Sequence, residues 1–491
     1  MDKSSDKEKK DGKSNKGLSV GKSEDFSTWY SEIVQKAELG DLRYNVKGFL
    51  VFQPWSVLCM EKMYRHFEKV LQDKGHEPYF FPTLIPEENF MKEAGHVEGF
   101  MPEVFWVTQG GETKFKDKLA LRPTSETAFY QMFALWIRSY NDLPFKTYQR
   151  ANVFRYETKA TRPFLRSREF HWIETHCAFA SENDAMKQVE EDMETTKEVL
   201  HDSFGLPFIF FERPQWDTFP GAKKTFAADV LNPDGKVVQQ PSTHMIKQDF
   251  AKAFDIKFKD KDGKDKFVYT TCYGPAMSRI FASVVSVHGD DKGLRFPWEI
   301  APRHVAIVPI DDSSELVEKA KEIKKRIGEF AEVVIDLSKK TPGERFNSWE
   351  MKGVPVRIDI GKKELKEGKL SVFRRDLNKK EVIAEKEMMS YLEKVKKEST
   401  KNLMKGADEI FKDRIVDVAS VKEMKKAIDS GNIARCEFCS IDKDGEKCAE
   451  VIEKEVGAKV RGTNLKKESV KGKCAVCGKK AQSVVYVARD Y

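Results

Sequence analysis

No stretch of this 491-residue chain comes near the roughly 18 to 20 apolar residues in a row that a membrane span needs. The N-terminus also lacks an apolar signal core, which argues against export and for a cytoplasmic location. Cysteine is sparse and unevenly placed: of eight residues, Cys59, Cys177 and Cys272 stand alone, whereas Cys436, Cys439, Cys448, Cys474 and Cys477 fall near the C-terminus. Without an export signal the compartment is expected to be reducing, so the cluster points to a metal rather than to disulfides. Residues 1–22 have almost nothing apolar and carry seven lysines against four acids, the composition of a disordered basic tail. The net charge of +7 accommodates an acidic partner without demanding one, because 34% charged residues also describes an ordinary solvated surface.

What is present is enough to fill real cores. Hydrophobic residues make up 40% of the chain, 34 phenylalanines among them, and the length suggests about three domains. The most informative stretch is residues 152–176, NVFRYETKATRPFLRSREFHWIETH. Apolar runs flank a charged, proline-containing middle, which reads as strand, long loop, strand. Arg155, Arg162, Arg166 and Arg168 lie in it together with Lys159. Such a hairpin can point fixed cations into one cleft, where the planar arginine fork suits phosphate and stacks on flat rings. An exposed, salt-bridged hairpin would share this composition.

Other segments frame it. Residues 55–74 place apolar positions at helical spacing and stop at Gly75, and PYFFPTLIP (78–86) reads as a strand interrupted by Pro82. Within residues 119–137 a strand gives way to Thr124-Ser125-Glu126, a signal for a capped helix start. The functional alternative turns Thr124 and Glu126 towards a substrate cation. Residues 216–257 read as strand, Asn-Pro-Asp-Gly turn, strand and helix, with Gln239, Ser242 and His244 where the second strand ends. A small-residue turn from Tyr273 to Ser278 delivers Arg279 at the start of an apolar helix. From His304, strands alternate with helices over about 100 residues, as in a small α/β domain with a mixed sheet. These textures divide the chain into 1–22, 23–302, 303–405 and 406–491. At the end, Cys436-x2-Cys439 and Cys474-x2-Cys477 form two knuckles, and four thiolates match a structural zinc.

The order Arg155-Tyr156-Glu157, loop, Arg166, then Arg168-Glu169-Phe170 resembles motif 2 of the class II aminoacyl-tRNA synthetases. The helix and proline-ended strand before it are similar to motif 1, the dimer interface of that family, and the turn reaching Arg279 resembles motif 3. Pro275 and Met277 depart from the small or hydroxyl residues usual before that arginine. Residues 345–376 resemble the anticodon-binding domain of class IIa members, the prolyl branch in particular. The Thr124/Glu126 pair, the QPSTH segment around His244 and the cysteine module stand in prolyl order, and a terminal Tyr491 with no large editing insertion suits the archaeal and eukaryotic type. The resemblance covers nearly everything from about residue 25 onwards.

The resemblance implies an α/β (α+β) fold: a class II catalytic domain built on an antiparallel sheet flanked by helices, a mixed-sheet anticodon-binding domain, and a small zinc-binding α+β domain. It implies ATP-dependent, Mg2+-assisted ligation of L-proline to tRNA(Pro) through a prolyl-adenylate, by a homodimer. Arg155 would bridge the carboxylate and α-phosphate, and Arg166 and Arg279 would hold the other phosphates. Phe170 and Arg279 would enclose adenine, Glu157 would meet its amino group, and Gln239 and Ser242 would contact the nucleotide. Thr124 and Glu126 would take the proline ammonium, with Trp172, Glu174 and His244 shaping its pocket. Glu350, Lys352, Arg357 and Arg374 would read the anticodon. The spacing in prolyl members selects Cys439, Cys448, Cys474 and Cys477 for zinc and leaves Cys436 spare. The alternatives are a threonyl, glycyl or histidyl enzyme, or a non-catalytic tRNA-binding paralogue. A threonyl enzyme would need a Cys and paired histidines in the cleft, and no such pairing is evident around Cys59, Cys177 or Cys272.

Overall fold

A computed structural model describes residues 17–92, 104–157 and 160–491. Most of the expected basic tail, residues 1–16, lies outside the described residues, as does Lys159 of the arginine-rich loop. The rest of that tail is attached to the body. Lys22 Nζ donates to the carbonyls of Val287 and Gly289 at 3.0 and 2.7 Å and lies over the Trp29 ring. Those carbonyls end a helix, where unpaired acceptors and the helix dipole favour a cation.

Seven strands build the main sheet: β1 (Glu77–Pro78), β2 (Phe145–Phe154), β3 (Glu169–Phe179), β4 (Ile209–Glu212), β5 (Ala222–Leu231), β6 (Lys236–Ile246) and β7 (Tyr269–Gly274). Their spatial order is β4-β5-β6-β7-β3-β2-β1, antiparallel except where β1 runs parallel to β2. The arginine-rich segment is the β2–β3 hairpin with its loop, and the Asn-Pro-Asp-Gly turn joins β5 to β6. The PYFFPTLIP run is not one broken strand. It contributes β1, then leaves the sheet, and Leu84–Pro86 joins a separate three-stranded sheet, with Phe80 between them 84% exposed.

Strand alternation sorts the side chains. Along β3, Ile173 enters the core beneath helices α1 (Pro54–Asp73) and α4 (Met277–His288), and Cys177 packs against Val189 of α3 (Glu182–Thr196). The intervening Trp172, Glu174 and His176 face the opposite side of the sheet, where the cleft lies. Helix α2 (Glu126–Trp136) enters that side from its own N-terminus.

The second domain is a mixed sheet in the order 333–335, 305–309, 356–360, 369–374 and 379–384, parallel across the first three strands and antiparallel thereafter. Its last helix, α5 (Met388–Asp413), runs past the border expected at residue 405. The buried stripe Leu392, Val395, Ser399, Leu403, Ala407 and Phe411 continues at helical spacing, so nothing breaks the helix there. The C-terminal strands are fused to the main sheet rather than set apart. Strand 459–464 pairs with β4 and strand 483–490 runs beside the start of β6, which makes one eleven-stranded sheet.

Candidate active site

The cleft has a volume of about 310 Å³ and is walled by β3, β5, β6, β7 and the start of α2. At that helix start Ser125 holds the cap position but makes no side-chain cap bond. Instead its Oγ and N–H both donate to Glu174, at 2.5 and 3.2 Å, while Thr124 Oγ1 donates to Glu126. The capping reading of Thr-Ser-Glu therefore fails: the two hydroxyls serve buried carboxylates, Ser125 the Glu174 of β3 and Thr124 the adjacent Glu126. Glu174 also accepts from Gln149 Nε2 at 2.7 Å and faces His176 Nε2 at 3.1 Å. Burial alone would raise its pKa, but His176, Ser125 and Arg122 outweigh that and hold it below the ordinary carboxylate range. With its oxygens so occupied, Glu174 shapes the wall through Ser125 and Gln149.

The floor holds an arrangement that one-dimensional spacing hid. His244 lies opposite Cys272 across β6 and β7, and Cys272 lies opposite His176 across β7 and β3. A cysteine between two histidines invites a metal reading, yet three of the four ring nitrogens face other partners, and only the buried His176 Nδ1 has no hydrogen-bond partner. His176 Nε2 faces Glu174, while His244 Nδ1 and Nε2 face Thr225 and Ser242, each at 3.0 Å. Among the described residues the four C-terminal cysteines alone cluster as metal ligands. Burial, aided by Arg213, lowers the His244 pKa to about 3, so its ring is neutral near pH 7.

On the other side of the cleft the cations converge. The Arg155 guanidinium lies 5.3 Å from the centroid of Phe170 and 6.0 Å from that of Trp172, and Arg279 lies 6.0 Å from Phe170. Arg166 stands 3.8 Å from Glu157 and donates to the backbone oxygen of Tyr491. Burial, then Arg155 and Arg166, lowers Arg279 to about 10 against the opposing pull of Glu157. Three guanidiniums with one carboxylate among them create a field that favours an anion. The remaining loop arginines are structural: Arg162 covers the rings of Phe26, Tyr30 and Tyr491, and Arg168 donates to the carbonyls of Lys47 and Glu157.

Met277, where the turn departs from the motif 3 pattern it resembles, is fully buried in the main core, so that position does not face the cleft. Trp172 packs over Gly274, where a Cβ would come within 3.1 Å of the ring. Gln239 is held by a residue that the sequence did not single out, Arg213, whose Nη2 donates to Gln239 Oε1 at 3.2 Å. Arg213 follows a short strand in Phe-Glu-Arg-Pro, a context with no motif to mark it.

The expected anticodon residues are dispersed among internal ion pairs. Arg357 is bonded to Asp359 and Glu350, both at 2.8 Å, and stacks on Phe346 and Phe373. Arg374 is held by Asp376 and Glu398. Lys352 bonds Glu38 at 2.5 Å and lies over Trp55, at the seam with the catalytic domain. At the C-terminus the ligand atoms of Cys439, Cys448, Cys474 and Cys477 all lie within 4.8 Å of one another, a set that could hold tetrahedral zinc. Cys436 lies in the strand 433–438, buried in the module's apolar core.

Comparisons with known proteins agree along the chain. Residues 105–288 match the class II core domain of tRNA synthetases (G, H, P, S and T), residues 304–395 an anticodon binding domain, and residues 421–491 the prolyl-tRNA synthetase C-terminal domain. The proline–tRNA ligase of Thermofilum pendens is 49% identical over 97% of this chain and 100% of its own length. That of Methanopyrus kandleri is 40% identical over 95% and 96%. Among solved structures, Giardia lamblia prolyl-tRNA synthetase in complex with prolyl-adenylate superposes with a TM-score of 0.92 at 34% identity, covering 95% of this chain and 98% of that one. The Cryptosporidium parvum enzyme complexed with halofuginone and AMPPNP gives 0.92 at 29% identity, covering 97% and 100%.

Proposed function

This chain belongs to the prolyl-tRNA synthetase family, and we propose that its cleft joins L-proline to tRNA(Pro) at the expense of ATP. The proline carboxylate attacks the α-phosphate, a new O–P bond forms as the bond to diphosphate breaks, and prolyl-adenylate results. A terminal ribose hydroxyl of tRNA(Pro) then attacks the acyl carbonyl and AMP leaves. The observation that carries this reading is the convergence of Arg155, Arg166 and Arg279 around Phe170, beside a small pocket bearing Glu126.

The carboxylate is already an anion, so the first step needs positioning and charge neutralisation rather than a general base. Arg155 bridges the two reacting anions, and Arg166 and Arg279 hold the remaining phosphates. Phe170 and Arg279 enclose adenine, Glu157 meets its amino group, and Gln239 and Ser242 contact the nucleotide. Thr124 and Glu126 accept hydrogen bonds from the proline ammonium, with Trp172, Glu174 and His244 closing the pocket. A neutral His244 matters here, because an imidazolium would place a like charge beside that ammonium. Mg2+ would enter with the ATP phosphates and add further neutralisation. The second domain takes the anticodon, with Arg357 and Arg374, both buried in ion pairs, holding the shape of the surface near Glu350 and Lys352 rather than touching the bases. The exposed Phe80 of the motif 1 segment supports a homodimer, and a cytoplasmic location suits a chain in which no described helix is long and apolar enough to cross a membrane.

Amino-acid-dependent ATP–pyrophosphate exchange tests the reading. Exchange should be strongest with proline; a preference for any other of the twenty amino acids, or no exchange at all, would overturn it. The four-cysteine set holds one structural zinc, since an all-thiolate shell leaves no open position for chemistry. Zinc per chain, read by atomic absorption, should therefore persist in Cys436→Ser and be lost in Cys448→Ser. The opposite result would move Cys436 into the metal shell.

A further inference from the structure

We propose that Arg461, carried by the C-terminal module, is a positioning residue for the nucleotide site: together with Asp229 it fixes Arg213, which in turn holds Gln239. Asp229 lies at an irregularity of β5 and is 0% exposed. Its two oxygens receive four N–H groups from two guanidiniums. Arg213 donates through Nη2 at 2.7 Å and Nη1 at 3.2 Å, and Arg461 through Nε at 2.7 Å and Nη2 at 3.1 Å. Arg213 Nη1 also donates to the Arg461 carbonyl at 2.6 Å, so side chain and backbone of the C-terminal strand grip the same guanidinium. Arg213 and Arg461 are 3% and 4% exposed, which makes this a buried triad and not a surface ion pair.

Its location ties it to the nucleotide. Arg213 lines the main cleft and donates to Gln239, whereas Arg461 lines a second cavity of about 150 Å³ shared with Arg166, Gln239 and Arg279. The chain brings Arg461 there by a local device. Gly462 sits at a bulge of its strand with φ 129°, and a Cβ there would lie 2.2 Å from the Glu212 carbonyl. A glycine lets the strand approach β4 closely enough for the neighbouring arginine to reach Asp229. Two cations on one carboxylate also leave net positive charge in the cleft wall, partly offset by Asp490, 3.2 Å from Arg461.

This inference rests on the reading of the cleft as a site of ATP-dependent adenylation. Exchange by the unaltered full chain with proline checks that reading first; the variants are compared only against an active enzyme. In Arg461→Met the KM for ATP should rise on the order of ten- to a hundredfold, the loss expected when a charge-assisted hydrogen bond stops orienting a contact. The KM for proline should stay within about twofold, and Arg461→Lys, which keeps one donor and the charge, should recover part of the ATP affinity. An unchanged ATP KM, or equal rises in both KM values, would overturn the proposal. Should Arg461→Met fold poorly, the milder Arg461→Lys is combined with Gln239→Ala. If Arg461 acts through Gln239, the double variant binds ATP no worse than Gln239→Ala alone; additive losses reject that route.

Discussion

Arg155→Ala is expected to lower proline-dependent ATP–pyrophosphate exchange about a thousandfold while the chain stays folded. The guanidinium stands where the two halves of the cleft meet, 5.3 Å from Phe170 on the nucleotide side and 6.0 Å from Trp172 on the amino-acid side. A carboxylate approaching a phosphate brings like charges together, and the transition state gathers that charge between them. One aimed donor of this kind contributes about 10²–10³ in rate, and an arginine on a transferring phosphoryl group about 10³–10⁵, so a thousandfold lies where the ranges overlap. Because Arg155 would touch both substrates, kcat should fall and both KM values should rise. Arg155→Lys should rescue little, since one ammonium cannot span two acceptors as a planar fork does. Exchange measured beside circular dichroism decides the matter. A folded Arg155→Ala retaining more than about a tenth of the activity would remove Arg155 from the reacting centre.

The features legible in the amino-acid order were local ones. The β2–β3 hairpin follows from apolar runs around a charged loop and the β5–β6 turn from Asn-Pro-Asp-Gly, whereas cysteine spacing alone paired Cys436 with Cys439 and only the resemblance put Cys448 in the metal set. What escaped was set by register between distant strands. Thr-Ser-Glu has the local look of a cap, but its partner Glu174 lies 49 positions away. The Cys272 row between His176 and His244 exists only once three strands are aligned. Arg213, Asp229 and Arg461 each resemble a solvated charge until the C-terminal strand is laid beside β4. The inward pairing of Arg357 and Asp359 has a visible cause: residues two apart on a strand share a face, and VRIDI is buried throughout. Motif resemblance proposed which residues matter, but it could not say which of them the protein itself already occupies.

Removing Asp229 should produce the largest loss of stability. Asp229→Asn takes the anion from two buried guanidiniums, and breaking a buried ion pair from one side costs about 3–5 kcal/mol because the surviving charge stays desolvated. Arg461 would keep Asp490 at 3.2 Å, and Arg213 would keep only neutral acceptors, the Arg461 carbonyl and Gln239. The sheet runs unbroken from the C-terminal strands through β4 and β5, so both modules should melt at lower temperature in Asp229→Asn. The acid limb carries a second signature. Burial alone would raise the Asp229 pKa, yet Arg213 and Arg461 outweigh it and hold the carboxyl at about 2. A free aspartate titrates near 3.9, so this contribution is fully present above about pH 4 and is lost as pH falls towards 2. Asp229→Asn should therefore show a shallower loss of stability across that window than the unaltered chain. An apolar triple variant, Asp229→Leu with Arg213→Met and Arg461→Leu, should regain most of the lost stability, since replacing a whole buried ion group is often neutral. The same triple variant should stay impaired towards ATP, because stability returns without the guanidinium that orients Gln239. If it recovered both, the triad would be a device of folding alone.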